Sequence, residues 1–268
     1  MAPAQTTVTV MSFNIHHGEG TDGVLDLARI ARVIEASGAG VVGLQEVDRN
    51  FAQRSGWSDQ VAGLAELLGC HVAYGPNIDL DPPQPGNPRA QFGNAVLSRY
   101  PIARSENTSL FRSAGEEQRG LLHAEVDLAG VLLHVYVTHL AASSQTDRIQ
   151  QAQQVVQQVR GNDPAVLLGD FNARPHTPEI GTLQAALSDS LAPAPGGSPA
   201  ASHPGAPAAR IDYIFTSQRL SPSWTRFSSF DPAASDHLPV VSLLTFRAGV
   251  LAAGHGSRQA RWRCLDGA

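Results

Sequence analysis

The sequence predicts a single α/β domain, and two observations carry that prediction. Short apolar runs of strand character alternate with three amphipathic stretches of helical spacing. Most of these runs start or stop at a small island of polar residues, an arrangement that gathers side chains from distant sequence at one edge of a sheet. With 268 residues, 42% of them hydrophobic and 16% charged, the chain has enough apolar material for one sizeable core. No repeat of fixed period divides it.

In chain order, residues 8–13 alternate and meet Asn14, which reads as a strand ending at a polar residue. Leu25, Leu27, Ile30, Ala31, Val33 and Ile34 recur at helical spacing, and Gly38 supplies a stop, so residues 25–36 form a helix. Residues 41–44 are a short buried strand ending at Gln45-Glu46, and Gln60–Leu68 is a second helix closed by Gly69. Residues 79–90 are rich in proline and read as a loop without core signal. Residues 95–98 and 121–128 resume strand character, and 131–140 form a strongly apolar strand. A glutamine-rich helix spans 147–159, with Ile149, Ala152, Val155, Val156 and Val159 on one face. Residues 166–168 are a buried strand running into Gly169-Asp170-Phe171-Asn172. An Ala/Pro/Gly/Ser stretch, 192–209, reads as a surface loop, and 211–216 and 238–246 are the last strands. The domain is thus expected over 1–246. The basic tail 247–268 has no periodic pattern and is expected to be loosely ordered.

Composition narrows the chemistry. A net charge of −5 argues against a nucleic-acid coat protein without excluding a nuclease, because a metal centre offsets local carboxylate charge. All 19 basic residues are arginine, which removes lysine nucleophiles and Schiff bases. Cys70 and Cys264 form neither a disulfide framework nor a CxxC zinc site. No apolar run approaches the ~20 residues that cross a bilayer. No signal-like segment is visible in residues 2–9, so a cytoplasmic location is expected.

The polar islands are Asn14, Gln45-Glu46, His139, Asp170-Asn172, Asp212 and Asp236-His237. Hard oxygen donors with two imidazoles suit an oxygen-preferring ion, Mg²⁺ or Mn²⁺, and not a thiolate-bound zinc. Such an ion among carboxylates is what phosphoryl hydrolysis needs. Arg119, just before a strand, is a candidate phosphate contact. His16 and His17 are candidates for lining the pocket. His71, His123, His134, His176, His203 and His255 receive no chemical role, and His134, out of alternation with His139, should face the other side of its strand.

Taken together, Ser12-Phe13-Asn14, Leu44-Gln45-Glu46-Val47-Asp48, Gly93 to Ser98, Thr138-His139-Leu140, Gly169 to Asn172, Arg210 to Phe215 and Ser235-Asp236-His237 resemble the endonuclease/exonuclease/phosphatase superfamily across residues 6–246. The resemblance implies a deoxyribonuclease I-like four-layer sandwich, two mixed β-sheets packed face to face with helices outside. It also implies a Mg²⁺- or Mn²⁺-dependent phosphoester hydrolase with Glu46, Asp236 and Asn14 at the metal. His237 would be the base for the attacking water, with Asp212 holding its ring. Asp170 and Asn172 would orient water and phosphate, and the superfamily leaves open whether Asp170 or His237 takes the proton. His139 would donate to a phosphate oxygen, and Asn94 would fix the His139 ring near that phosphate. The leading expectation is a phosphodiesterase or phosphatase whose phosphoester substrate, a small molecule, a lipid headgroup or a nucleic acid, is left undefined, with no obligate protein partner. A DNA or RNA nuclease comes next, and a catalytically inactive phosphate-binding or interaction module is the rival from another class. Trp224 and Phe227, in a stretch that reads as loop, are the nearest thing to an apolar membrane contact.

Overall fold

Twelve strands and four α-helices make up the described part of the computed structural model, which covers residues 6–82, 84–191, 202 and 209–247. The strands are β1 (Thr7–Asn14), β2 (Val41–Arg49), β3 (His71–Leu80), β4 (Ala90–Ser98), β5 (Ile102–Ser109), β6 (Gly120–Asp127), β7 (Leu132–His139), β8 (Ala165–Asp170), β9 (Ser188–Asp189), β10 (Asp212–Thr216), β11 (Leu220–Phe227) and β12 (Val240–Phe246). The helices are α1 (Leu27–Ser37), α2 (Gln60–Leu68), α3 (Gln145–Val159) and α4 (Pro178–Gln184).

Alternation along the strands builds the layers. In β1, Val8 and Val10 point one way while Met11 and Phe13 point the other; β7 divides Leu133, Val135 and Val137 from Tyr136 in the same manner. One face of each set meets in a shared core between two six-stranded sheets, ordered β11-β12-β1-β2-β4-β3 and β5-β6-β7-β8-β10-β9. The outer face of the first sheet is covered by Ile30, Val33 and Ile34 of α1 with Val61, Leu64 and Leu68 of α2. That of the second sheet is covered by Ala152, Val155 and Val159 of α3 with Ile180 and Leu183 of α4. The result is the four-layer sandwich.

Each sheet holds one parallel pair, β1 with β2 and β7 with β8, joined by a crossover through α1 or α3. The helix signals sit where the residues place them. Asp26 and Asp59 accept from Arg29 N and Ala62 N at the starts of α1 and α2, and Gly38 and Gly69 close them at φ 72° and 57°.

Other elements are absent from the sequence pattern. β3, β5 and β11 carry little alternation because they lie at or beside sheet edges, and β3 and β11 contain proline. The stretch 79–90 expected as a loop is strand at both ends, since Asp79 and Leu80 belong to β3 and Ala90 opens β4. Trp224 and Phe227 sit in the edge strand β11, not in a loop. Most of the 192–209 loop and all of 248–268 lie outside the described residues.

Inside the shared core the two sheets approach closely at Gly43. A Cβ there would lie 2.8 Å from Val137 Cγ2 and 2.9 Å from Leu168 Cδ1, both from the opposite sheet. Gly43→Ala should therefore lower stability by about 1–3 kcal/mol through overpacking. In urea unfolding the midpoint should fall with an unchanged slope; an unaltered midpoint would mean the sheets yield freely here.

Candidate active site

Strand register sets three candidate side chains in a row. His139 ends β7 opposite Asp170, which ends β8, and Asp170 lies opposite Asp212 at the start of β10. Paired residues on neighbouring strands share a face. These three continue the lines of Val137, Leu168 and Ile214, so the site is the polar rim of the inter-sheet core. Asn14, ending β1 beside Gln45, faces them from the first sheet. Ser235 Oγ donates to Asn14 O at 2.8 Å and accepts from His237 N at 3.2 Å, which ties the Asp236-His237 segment to the same edge.

The contacts form a chain. His237 Nδ1 is 2.8 Å from Asp212 Oδ2, and His237 Nε2 is 3.6 Å from Asp170 Oδ2. Asn14 Nδ2 donates both to Asp170 Oδ2 at 3.1 Å and to Glu46 Oε1 at 3.0 Å, while Asn14 Oδ1 accepts from His16 N. Asp170 Oδ1 accepts from Asn172 N at 2.9 Å in an Asx turn. Asn172 Nδ2 donates to Leu140 O at 3.1 Å and lies 3.0 Å from His139 Nε2. The Leu140 carbonyl fixes that nitrogen as a donor, so His139 Nε2 accepts and its proton sits on Nδ1. Asn172, not Asn94, therefore orients the His139 ring. Asn94 Nδ2 donates to Gly120 O and Val137 O, and its Oδ1 is buried without a partner. The only ring nitrogen of His139 left to donate in this arrangement is Nδ1.

Backbone strain gathers here. Glu46 adopts φ 58° in a bulge where β2 and β4 lose register between Leu44 and Val47, and this aims a half-buried carboxylate out of the strand line. His16, His17 and Asn172 are also at positive φ, between 44° and 48°. Each such residue costs roughly 1–3 kcal/mol, which is tolerated where function or packing over-determines it.

The sequence pattern of the Endonuclease/Exonuclease/phosphatase family matches residues 11–237, a span that takes in every one of these side chains. The chain belongs to that family. YbhP of Escherichia coli K12 is 29% identical over 179 residues, 63% of this chain and 68% of its own. An endonuclease/exonuclease/phosphatase structure from Beutenbergia cavernae superposes with a TM-score of 0.75 at 29% identity, covering 90% of this chain and 72% of that one. The Bacteroides thetaiotaomicron mannosyl-6-phosphatase shares the fold, with a TM-score of 0.67 at 19% identity and coverage of 89% and 100%.

Within this family member, charge balance favours a divalent cation. Asp170, Asp212 and His237 form one buried cluster, Asn14 Nδ2 links Asp170 to Glu46, and Asp212 Oδ1 is buried without a hydrogen-bond partner. Burial, then the charge of Asp212, pushes the Asp170 carboxyl up to about 7. Burial opposes charge on His237 as well, but Asp212, Asp170 and Asp236 outweigh it and raise the imidazole to about 10. His139 goes the other way, held well below its ordinary value by burial and by Arg119. Its 3.4 Å contact with Asp170 is accordingly not an ion pair. The carboxylate oxygens of Glu46 and of the Asp170–Asp212 cluster are hard donors of the kind a divalent cation takes, and Asn14 could add its oxygen only with its amide turned over.

A pH prediction follows from these directions. The folded chain retains a proton on Asp170 that the unfolded chain releases near 3.8, so that contribution to stability is lost as pH rises through about 7. The His237 contribution is complete below 6.5 and is lost as pH rises through about 10. With divalent ions chelated, the melting temperature of Asp170→Asn minus that of wild type should therefore rise between acid and neutral pH. A pH-independent difference would contradict it.

Several contributing residues gave no signal in the sequence. Ser202, in the stretch read as a surface loop, is buried, and its Oγ accepts from Ile211 N and Asp212 N at 3.0 and 3.1 Å. Its carbonyl accepts from Leu238 N, so one serine pins both flanks of the His237–Asp212 pair. Arg54 grips the buried Asp48 through two hydrogen bonds of 3.0 and 2.8 Å, fixing the strand beyond the Glu46 bulge. Asp48 thus commits its carboxylate to Arg54, two residues from Glu46. His17 is buried and held neutral by burial and by Arg54.

Proposed function

We propose that this chain is a Mg²⁺- or Mn²⁺-dependent phosphoester hydrolase whose water-activating unit is Asp170 with His237 and Asp212. The observation that carries this reading is the buried chain Asp212–His237–Asp170, with contacts of 2.8 and 3.6 Å, next to the strained Glu46 carboxylate. A base works best with its pKa near the operating pH. Asp170, at about 7, meets that condition, while His237 stays protonated and offers its charge to the phosphate. Asp170 takes the proton of the attacking water, Asp212 stabilises the His237 imidazolium, and Asn172 holds Asp170 and His139 in place. Arg119 is buried, pairs with Glu117 through Nη1 at 2.9 Å, and keeps a buried Nε–H without a partner, which suits a phosphate oxygen. A bound Mg²⁺ would neutralise phosphate oxygens and stabilise the leaving oxygen, held by Glu46 and Asp236.

A net charge of −5 and 6% aromatic residues favour a small or lipid-headgroup phosphoester over a nucleic-acid strand, which needs a basic track and stacking surfaces. The test is one panel in millimolar Mg²⁺ or Mn²⁺. It comprises bis-nitrophenyl phosphate, nitrophenyl phosphate, mannose 6-phosphate, sphingomyelin, plasmid DNA and abasic DNA. Metal-dependent hydrolysis of the small esters supports the reading, preferential nicking of DNA replaces it with a nuclease, and no turnover across the panel leaves a binding module. Arg119→Ala should raise KM for the preferred ester by ~10-fold or more, through loss of a charged hydrogen bond worth about 1.5–3 kcal/mol; an unchanged KM would remove Arg119 from the site.

A further inference from the structure

We propose that the outer face of the second sheet binds one borderline transition-metal ion, Zn²⁺ or a close analogue, through His123 and Glu125 of β6 and His134 of β7. This site is separate from the hydrolytic one. His134 precedes His139 by five residues on β7, ~16 Å at strand spacing, and points to the opposite face.

Strand geometry puts the three ligands together. His123 and Glu125 are two apart on β6 and share a face, and Glu125 lies directly opposite His134 in the antiparallel ladder. One potential ligand atom from each residue lies within 4.8 Å of the other two. His123 Nε2 and His134 Nδ1 are 3.0 Å apart. Two nitrogens bound at ~2.0–2.1 Å to one zinc stand roughly 3.0–3.4 Å from each other, so the rings need almost no movement to bracket an ion. The His123 ring is set in plane by stacking on Tyr136, with centroids 4.3 Å apart at 7°.

The chemistry selects the ion. Two imidazoles and one carboxylate make a nitrogen-rich set that prefers Zn²⁺, Cu²⁺ or Ni²⁺ to Mg²⁺. All three residues are half-buried, which leaves them reachable while excluding bulk water from part of the site. In the metal-free pair one ring N–H donates to the other ring. On binding, that proton passes to the donor ring's second nitrogen, which leaves both facing nitrogens to the ion. The bound ion clips β6 to β7 beside the edge strand β5 and stabilises the sheet by mass action.

Calorimetric titration of Zn²⁺ into the chelator-stripped full chain, in excess Mg²⁺, tests the proposal. The expected result is one equivalent of zinc bound by wild type, with affinity weakened at least ~10-fold in His123→Ala and again in His134→Ala. Glu46→Gln should bind zinc as wild type does, and Zn²⁺ should raise the melting temperature of wild type and Glu46→Gln but not of His134→Ala. Circular dichroism and Mg²⁺-dependent turnover unchanged in His134→Ala exclude simple misfolding. Zinc binding that survives both histidine substitutions, that disappears in Glu46→Gln, or that is absent in wild type at tens of micromolar would overturn the assignment.

Discussion

Asp170→Asn is expected to lower kcat by ~10²–10⁴-fold, the usual worth of a positioned general base. Asparagine keeps the shape, and its Oδ1 can still accept from Asn172 N, so the turn after β8 should survive; its Nδ2, a donor, gives up the contact with Asn14 Nδ2. What it removes is a carboxyl that burial and Asp212 have tuned to about 7. The pH profile separates this residue from its neighbour. If Asp170 is the base, wild-type kcat rises as pH passes through the titration of that carboxyl, because only the deprotonated form accepts a proton. His237→Gln should also lose ~10²-fold or more, but its residual activity should keep that rising limb, whereas residual activity of Asp170→Asn should be flat there. A limb that persists in Asp170→Asn and vanishes in His237→Gln would transfer the role to His237. Asp212→Asn is the companion variant. Removing the charge 2.8 Å from Nδ1 withdraws the main force holding His237 protonated, so its effect should fall on the alkaline side of the profile.

The site was legible in the sequence because its residues sit where strands end, and strand ends are marked by abrupt changes from apolar to polar. Asn14, His139 and Asp170 come to one rim because β1, β7 and β8 end there, and Asp212 because β10 starts there. Glu46, which the sequence pattern puts at the end of a strand over 41–44, reaches the rim from a bulge inside β2, which runs on to Arg49. The helices were legible through periodicity and their caps. The edge strands were not. Ile102–Ser109 reads as a polar run because an edge strand against solvent has no need to alternate, and its pairing is a property of β6 as much as of its own residues. Ser202 was illegible for a different reason. A serine among alanines and prolines carries no signal of burial, and its role appears only where the fold sets its Oγ against two backbone N–H groups. The same limit applies to His123 and His134. Eleven residues apart on separate strands, they become neighbours only through the hairpin register that places Glu125 opposite His134.

Glu46→Gln should abolish metal-dependent turnover, by ~10²-fold or more, and the way it does so distinguishes a ligand from a strut. Glutamine retains the Oε1 that accepts from Asn14 Nδ2 and places no new demand on the backbone at φ 58°. A purely structural Glu46 would therefore tolerate it. As a metal ligand, Glu46 loses the charge that binds a hard cation. Thermal melts supply the independent readout. Saturating Mg²⁺ at 100 times its Kd should stabilise wild type by about 2.7 kcal/mol, and chelation should reverse that gain. Glu46→Gln should show neither response. The metal-free variant should be at least as stable as metal-free wild type, because one negative charge has left a rim where Asp170, Asp212 and Asp236 remain. Stability held or raised while activity collapses is the signature of a side chain kept for chemistry, and it is the outcome that a strained, half-buried carboxylate in a β-bulge predicts. A variant that melts lower than wild type in chelator, yet still gains stability from Mg²⁺, would show instead that Glu46 braces the bulge and that the ion is held elsewhere.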